Sequence, residues 1–207
     1  ARPVPGYDLA GRSIPAQTVG GDYFDFVFID DRHLALCLGD VSGKGLPASL
    51  LMANLQASIR SQVLAHASVT ECLRRTNTLL YRSTNSKTFV TAFYCALDLD
   101  RHELRYANAG HNPPLLFRAS GKPERLERGG LVLGVVEDSK FQEATCRMEP
   151  DDLLVVYSDG VTEIRNAAGE EFGEEGIIAV VNEDRNRPAE KVLEAIVEAT
   201  FEFGGDQ

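Results

Sequence analysis

Nowhere along its 207 residues does this chain carry an apolar run near the roughly 18 residues that cross a bilayer. Its opening, Ala1-Arg2-Pro3-Val4-Pro5-Gly6, also lacks the apolar stretch of a secretory signal. A cytoplasmic location without membrane contact is therefore the expectation. Cysteine is sparse: Cys37, Cys72, Cys95 and Cys146 are scattered, with no C-x-x-C pair. That spacing argues against a structural zinc site and a disulfide framework, so all four read as buried or incidental thiols. Positive charge is also short, with 21 Lys and Arg against 31 Asp and Glu and a net charge of −10. Binding to nucleic acid leans on cations that neutralise phosphates, so nucleic acid is not an expected partner.

Against these absences stands an ordinary globular composition, 43 % hydrophobic and 25 % charged, so the chain should fold. Its length suits one domain. Residues 1–6 read as a linker tail from an upstream segment, and residues 7–207 as the domain itself. Tyr7 to Ile14, bounded by Gly and Pro, reads as an edge strand. Tyr23 to Ile29 and His33 to Leu38 form a hairpin pattern around an Asp30-Asp31 turn.

Leu51, Leu55, Ile59 and Val63 then make an i, i+4 stripe, which predicts a helix from Leu46 to about His66. A second helix is predicted from Val69 to about Ser83, capped by Thr70, with Cys72, Leu73, Leu79 and Leu80 facing inward. Strand patterns return at Phe89–Leu97, Leu104–Ala107, Leu115–Arg118, Phe141–Met148 and Leu153–Tyr157, with Gly129-Gly130 as a loop. Helical patterns close the chain at Glu174–Val181 and Pro188–Phe203. Strands, two helices, more strands and helices again indicate α+β architecture with antiparallel sheets covered by helices.

Three acidic turns carry the chemistry: Gly20-Gly21-Asp22, Gly39-Asp40-Val41-Ser42-Gly43-Lys44-Gly45 and Ser158-Asp159-Gly160. Any one alone reads as an ordinary Asp-Gly turn. Asp40 and Asp159, however, each follow an apolar strand, which would hold a carboxylate at the rim of a rigid sheet. Carboxylates brought together repel unless they share protons or bind a cation, and an aspartate-rich set suits hard ions such as magnesium or manganese rather than zinc. Two such ions can polarise a phosphoryl group and activate a bound water.

The motifs GGDYFDF at Gly20 to Phe26, GDVSGKGLPASLLMA at Gly39 to Ala53, FVTAFY at Phe89 to Tyr94, NAGHNPPLL at Asn108 to Leu116 and YSDGVTEIRNAAGEEFG at Tyr157 to Gly173 together resemble a known family. It is the bacterial SpoIIE/RsbU-like branch of the PPM-type serine/threonine protein phosphatases. The resemblance covers nearly the whole chain and implies an αββα sandwich of two mainly antiparallel sheets with a metal centre of two Mn2+ or Mg2+ ions between them. Asp40 matches the bridging ligand, with the Val41 carbonyl beside it; Asp22 matches the acidic residue serving the second ion, and Asp159 a ligand of the first. Asp22, Asp40 and Asp159 are thus the expected catalytic set.

In two places this sequence departs from the family pattern. An Asp-Asp-x-Thr segment on a last strand has no counterpart in Gly205-Asp206-Gln207, so the domain is expected to lack that strand. Ser42 stands where many eukaryotic relatives carry a histidine that protonates the leaving group, which leaves the acid unassigned; His111 is a substitute, weighed against an ordinary loop histidine satisfied by backbone. Lys44, in a glycine-flanked loop opening a helix, is a candidate phosphate contact. The implied substrate is a phosphorylated STAS-type anti-anti-sigma protein, the implied neighbour an upstream sensory or receiver domain, and a homodimer through the helices after Asp40 is compatible with the family. The alternative is a non-catalytic binding module of the same fold. The letters GGD also open a nucleotide-cyclase signature, but GDVSGKG and SDG have no place there.

Overall fold

The computed structural model describes residues 3–15, 20–43, 45–65, 68–84, 88–119 and 121–205. Its first hairpin is set by an aspartate turn: Asp30 Oδ1 accepts from the backbone N–H groups of Arg32 and His33 at 2.7 and 2.8 Å. This side-chain mimic of a backbone turn reverses the chain between β1 (Tyr23–Phe28) and β2 (His33–Val41). The register places Tyr23 opposite Gly39 and Phe28 opposite Leu34.

Two helices follow, α1 (Leu46–Leu64) and α2 (Val69–Ser83). The remaining elements are β3 (Val90–Asp98), β4 (Glu103–Ala109), β5 (Leu115–Phe117), β6 (Glu124–Arg125), β7 (Gly129–Gly130), β8 (Ala144–Arg147), β9 (Leu153–Val155), α3 (Asp159–Thr162), α4 (Gly173–Asp184) and α5 (Ala189–Gly204). One sheet runs β1-β2-β3-β4-β7, with β8 also on β4, and a three-stranded sheet runs β6-β5-β9.

Strand alternation turns these two sheets into four layers. Along β2, Ala35, Cys37 and Val41 pack with Leu51, Leu55, Ile59 and Val63 of α1 and with Cys72, Leu73 and Leu80 of α2. Leu34 and Leu36 point the other way, joining Phe93, Cys95, Leu97 and Leu104 against Leu116 and Leu154 of the small sheet. The small sheet's outer face carries Leu115 and Phe117 onto Ile177 and Val181 of α4 and Val192 and Ile196 of α5. The layers are helices, sheet, sheet, helices, the expected αββα sandwich. Gly39 permits the tight helix–sheet contact, because a Cβ there would lie 2.8 Å from Leu55 Cδ2.

Several local expectations need correction. Tyr7–Ile14 is not an edge strand: side chains anchor it instead, with Tyr7 Oη 2.9 Å from His102 Nδ1 and Asp8 Oδ2 accepting from Ala189 N at the start of α5, 2.7 Å away. Ser68, not Thr70, caps α2, accepting from Glu71 N at 3.3 Å. Leu79 is 45 % exposed. The buried face includes Asn77, which donates to the carbonyls of Val136 and Glu137 and accepts from Gly134 N, all at 2.9 Å. Gly129-Gly130 is a short parallel strand rather than a loop, and a Cβ at Gly129 would sit 1.7 Å from the Asn108 carbonyl oxygen. The strand expected from Phe141 begins at Ala144, and the expected helix end at His66 lies outside the described residues.

Asp25 ties β1 to α1. Its carboxylate accepts from Arg60 Nε and Nη2 at 2.6 and 3.0 Å and from Tyr23 Oη at 2.8 Å. Burial pushes this carboxyl up, but the hydrogen bonds from Arg60 and Tyr23 outweigh it, and the net direction is down. A carboxyl depressed on folding stabilises above its unfolded pKa, and that contribution is lost as pH falls through the folded value. Asp25→Asn should therefore cost about 1 kcal/mol at pH 7, with Arg60 itself half exposed and the pair partly screened. Urea denaturation should find the gap to wild type closing as the pH is lowered below about 4.

Candidate functional site

The strand that builds two cores also delivers the first carboxylate. Asp40 is the second-last residue of β2, and alternation with Val41 and Gly39 puts it on the face between the sheets. Asp22 immediately precedes β1, which pairs with β2, so the two acids meet at one end of the hairpin. Ser49 of α1 steadies this loop by donating to the Gly20 carbonyl at 3.0 Å. Asp159 arrives from the other sheet: β9 runs out through Tyr157 and Ser158, and Asp159 opens the single turn of α3, closed by Glu163 N donating to the Asp159 carbonyl at 2.8 Å.

Asp22 and Asp40 share a hydrogen bond, and Ser158 Oγ donates to Asp22 Oδ2 at 3.3 Å. Asp40 is pushed up to about 7, first by burial and then by the negative charges of Asp22 and Asp159. Asp22 is also raised by burial, with the hydrogen bonds from Ser158 and Asp40 pulling back and Asp159 adding to the rise. Asp40 and Asp22 are half-buried and Asp159 is exposed. Two strands of one sheet and the exit of the other therefore bring three carboxylates within electrostatic reach. Among the described residues, no three His, Cys, Asp or Glu side chains close into a ready cage. The crowding of Asp22 and Asp40 opposes ionisation of both, a cost that a shared proton or a bound cation relieves.

Gly21 keeps the space beside them open. A Cβ there would lie 3.0 Å from the Val41 carbonyl oxygen and 3.5 Å from Asp40 Oδ1. A carboxylate and a carbonyl thus face a pocket that any side chain at position 21 would fill. This all-oxygen donor set fits a hard divalent cation. Ser42 is engaged in the fold: its Oγ accepts from Phe89 N at 2.9 Å and its N–H donates to the Phe89 carbonyl at 3.0 Å.

His111 is buried, with Nδ1 2.8 Å from Thr91 Oγ1 and Nε2 3.1 Å from the Tyr157 carbonyl. Burial pushes it down to about 4, against the opposing pull of the Tyr157 carbonyl and the Asp159 charge. Neutral and bonded at both nitrogens, it is the satisfied loop histidine rather than the acid. Ser158 and Thr91, which touch the site, were not singled out from the sequence; both lie inside quoted motifs, but only their partners give them a role. Lys44 and Asp206 lie outside the described residues.

The sequence profile of the Stage II sporulation protein E (SpoIIE) family matches residues 30–207. The chain belongs to this family. Among curated proteins, phosphoserine phosphatase RsbU of Bacillus subtilis is 32 % identical over 163 residues, covering 78 % of this chain and 48 % of RsbU. The chain thus spans about half the length of that relative. The SiaA-PP2C domain of Pseudomonas aeruginosa superposes with a TM-score of 0.82 at 21 % identity, over 93 % of this chain and 78 % of that one. RsbX, crystallised in complex with magnesium, superposes with a TM-score of 0.69 at 18 % identity, over 96 % and 87 %. The SpoIIE-family fold described above is therefore shared with solved PP2C domains.

The crowding of the three acids has a measurable signature in this SpoIIE-family chain. With divalent cations chelated, Asp40→Asn should stabilise the fold by about 1–2 kcal/mol above pH 7, allowing for half exposure to solvent, because it removes a repelled charge and keeps a donor for Asp22. Adding Mn2+ should raise the melting temperature of the wild type and leave the variant unmoved, reversing the order. Thermal denaturation with EDTA and with Mn2+ checks both.

Proposed function

We propose that this chain is a metal-dependent protein phosphatase that hydrolyses phosphoserine or phosphothreonine on a protein. The observation that carries the reading is the meeting of Asp22 and Asp40 beside the Val41 carbonyl and the space kept by Gly21, with Asp159 brought up from the second sheet. Asp22, Asp40, Asp159 and the Val41 carbonyl would hold Mn2+ or Mg2+, as a pair of ions. Bound there, the ions supply charge to stabilise a phosphoryl group under attack and lower the pKa of water.

The chain's own residues fix where that charge sits. Asp40 rides on a paired strand, Asp22 is held by Ser158, and Asp159 is tied into the α3 turn. The magnesium of RsbX supports a divalent ion in this fold, and likeness to RsbU, named a phosphoserine phosphatase, supports the reaction.

The substrate that fits this reading is a phosphorylated STAS-type anti-anti-sigma protein, with an upstream sensory or receiver domain controlling the output and residues 1–6 as linker to it. Sigma-factor regulation in the cytoplasm follows from that assignment. Among the described residues no helix is long and apolar enough to cross a membrane. A homodimer through α1 has support in Leu46 and Leu50, each 65 % exposed on that helix.

The test is release of phosphate from a phosphoserine-bearing STAS protein, and from p-nitrophenyl phosphate, with and without Mn2+. Turnover should require the metal and fall by about 10²–10³-fold in Asp40→Ala, the order expected when a charge-stabilising group is removed. A wild type that binds Mn2+ yet releases no phosphate from either substrate would instead support the non-catalytic binding module.

A further inference from the structure

Asp40 lies on the large sheet and Asp159 on α3 past the exit of the small one, so their spacing depends on how the two sheets are held together. Apolar contacts such as Leu36 and Leu104 with Leu154 hold the sheets together without direction. Beside the Arg118 bonds to Arg147 and Asp152 at the far edge, a directional link close to the acids is made by His111. Thr91 sits on β3 directly opposite Asp40, and its Oγ1 lies 2.8 Å from His111 Nδ1. On the other side of the ring, Nε2 lies 3.1 Å from the carbonyl of Tyr157, two residues before Asp159. A carbonyl only accepts, so Nε2 carries the proton and Nδ1 accepts from the Thr91 hydroxyl.

The ring is itself held in place. Asn108 Nδ2 donates to the His111 carbonyl at 2.9 Å, and Asn108 Oδ1 accepts from His111 N at 2.7 Å. Gly110, bridged to Ala92 of β3 with a φ of 70°, makes the turn between them. One residue past Tyr157, Ser158 donates to Asp22. An unbroken series thus runs from the neighbour of Asp40, through His111, to the segment that bears Asp159 and steadies Asp22.

We infer that His111 is a positioning residue that sets the spacing of Asp159 against Asp40 and Asp22, and with it the affinity of the site for its divalent cation. The inference rests on the metal-centre reading above. Outer partners that orient ligands typically change metal affinity by about 10–100-fold when removed. A histidine serving only the core would change stability and leave affinity alone.

Thr91→Val is the decisive variant, because it is close to isosteric and removes only the hydroxyl donor to Nδ1; Thr91→Ser restores the donor, and His111→Leu removes both bonds. Mn2+ binding is measured by titration with the free ion followed by electron paramagnetic resonance, alongside melting in EDTA and the Mn2+ dependence of p-nitrophenyl phosphate hydrolysis. The expected result is Mn2+ binding weaker by about 10-fold or more in Thr91→Val, recovered in Thr91→Ser, with the lost rate regained at saturating Mn2+. Folded Thr91→Val that binds Mn2+ as tightly as wild type, while Asp40→Ala does not bind it, overturns the positioning role alone. A wild type that takes up no Mn2+ overturns the metal reading and this inference together.

Discussion

The two-residue alternation of β2 is the constraint on which the rest of the molecule hangs. One face of that strand is filled by Ala35, Cys37 and Val41 and commits it to the helices; the other is filled by Leu34 and Leu36 and commits it to the small sheet. Both faces being apolar and occupied, the register admits no slip, since a shift of one residue would exchange the two sets. Asp40 is carried on the same strand and inherits that rigidity. Its direction is determined by the packing of residues that have no chemistry of their own.

The site then asks the fold to tolerate an arrangement it would otherwise resist. Burial raises the proton affinity of both half-buried carboxyls, the charges of Asp22 and Asp159 raise Asp40 further, and a hydrogen bond from Asp40 eases Asp22. Uncharged donors surround them where the sequence offers any: Ser158 on Asp22 and Ser49 on the loop before it. Arg60 of α1 is bound to Asp25 on the helix-facing side of β1 rather than to these acids. The tolerance is thus local, and the surrounding layers remain apolar.

How much of this was legible follows from which signals are periodic. The Tyr23–Ile29 and His33–Leu38 hairpin, the Leu51, Leu55, Ile59, Val63 stripe and the paired closing helices were readable because burial imposes a repeat on the sequence. Asp22, Asp40 and Asp159 were legible through Asp-Gly turns set in long motifs. What could not be read was anything decided by a partner far along the chain. Tyr7–Ile14 has the composition of a strand, yet Asp8 is drawn to the start of α5. Asn77 is buried because three backbone groups of residues 134–137 bond to it, which no local pattern announces. His111 resembles any loop histidine until Thr91 and Tyr157 are brought to its two nitrogens.

The same layering separates three thiols that read alike in the sequence. Cys37 and Cys72 are sealed in the helix–sheet core, whereas Cys95, on the strand beside Cys37, is sealed between the sheets. Burial pushes all three up, Cys72 to about 12, so none is an effective nucleophile while its layer stays shut. Each thiol becomes reactive only when its own interface parts. The molecule thereby carries internal reporters of two different openings, and the order in which an alkylating reagent reaches them records whether the helices lift away before the sheets separate.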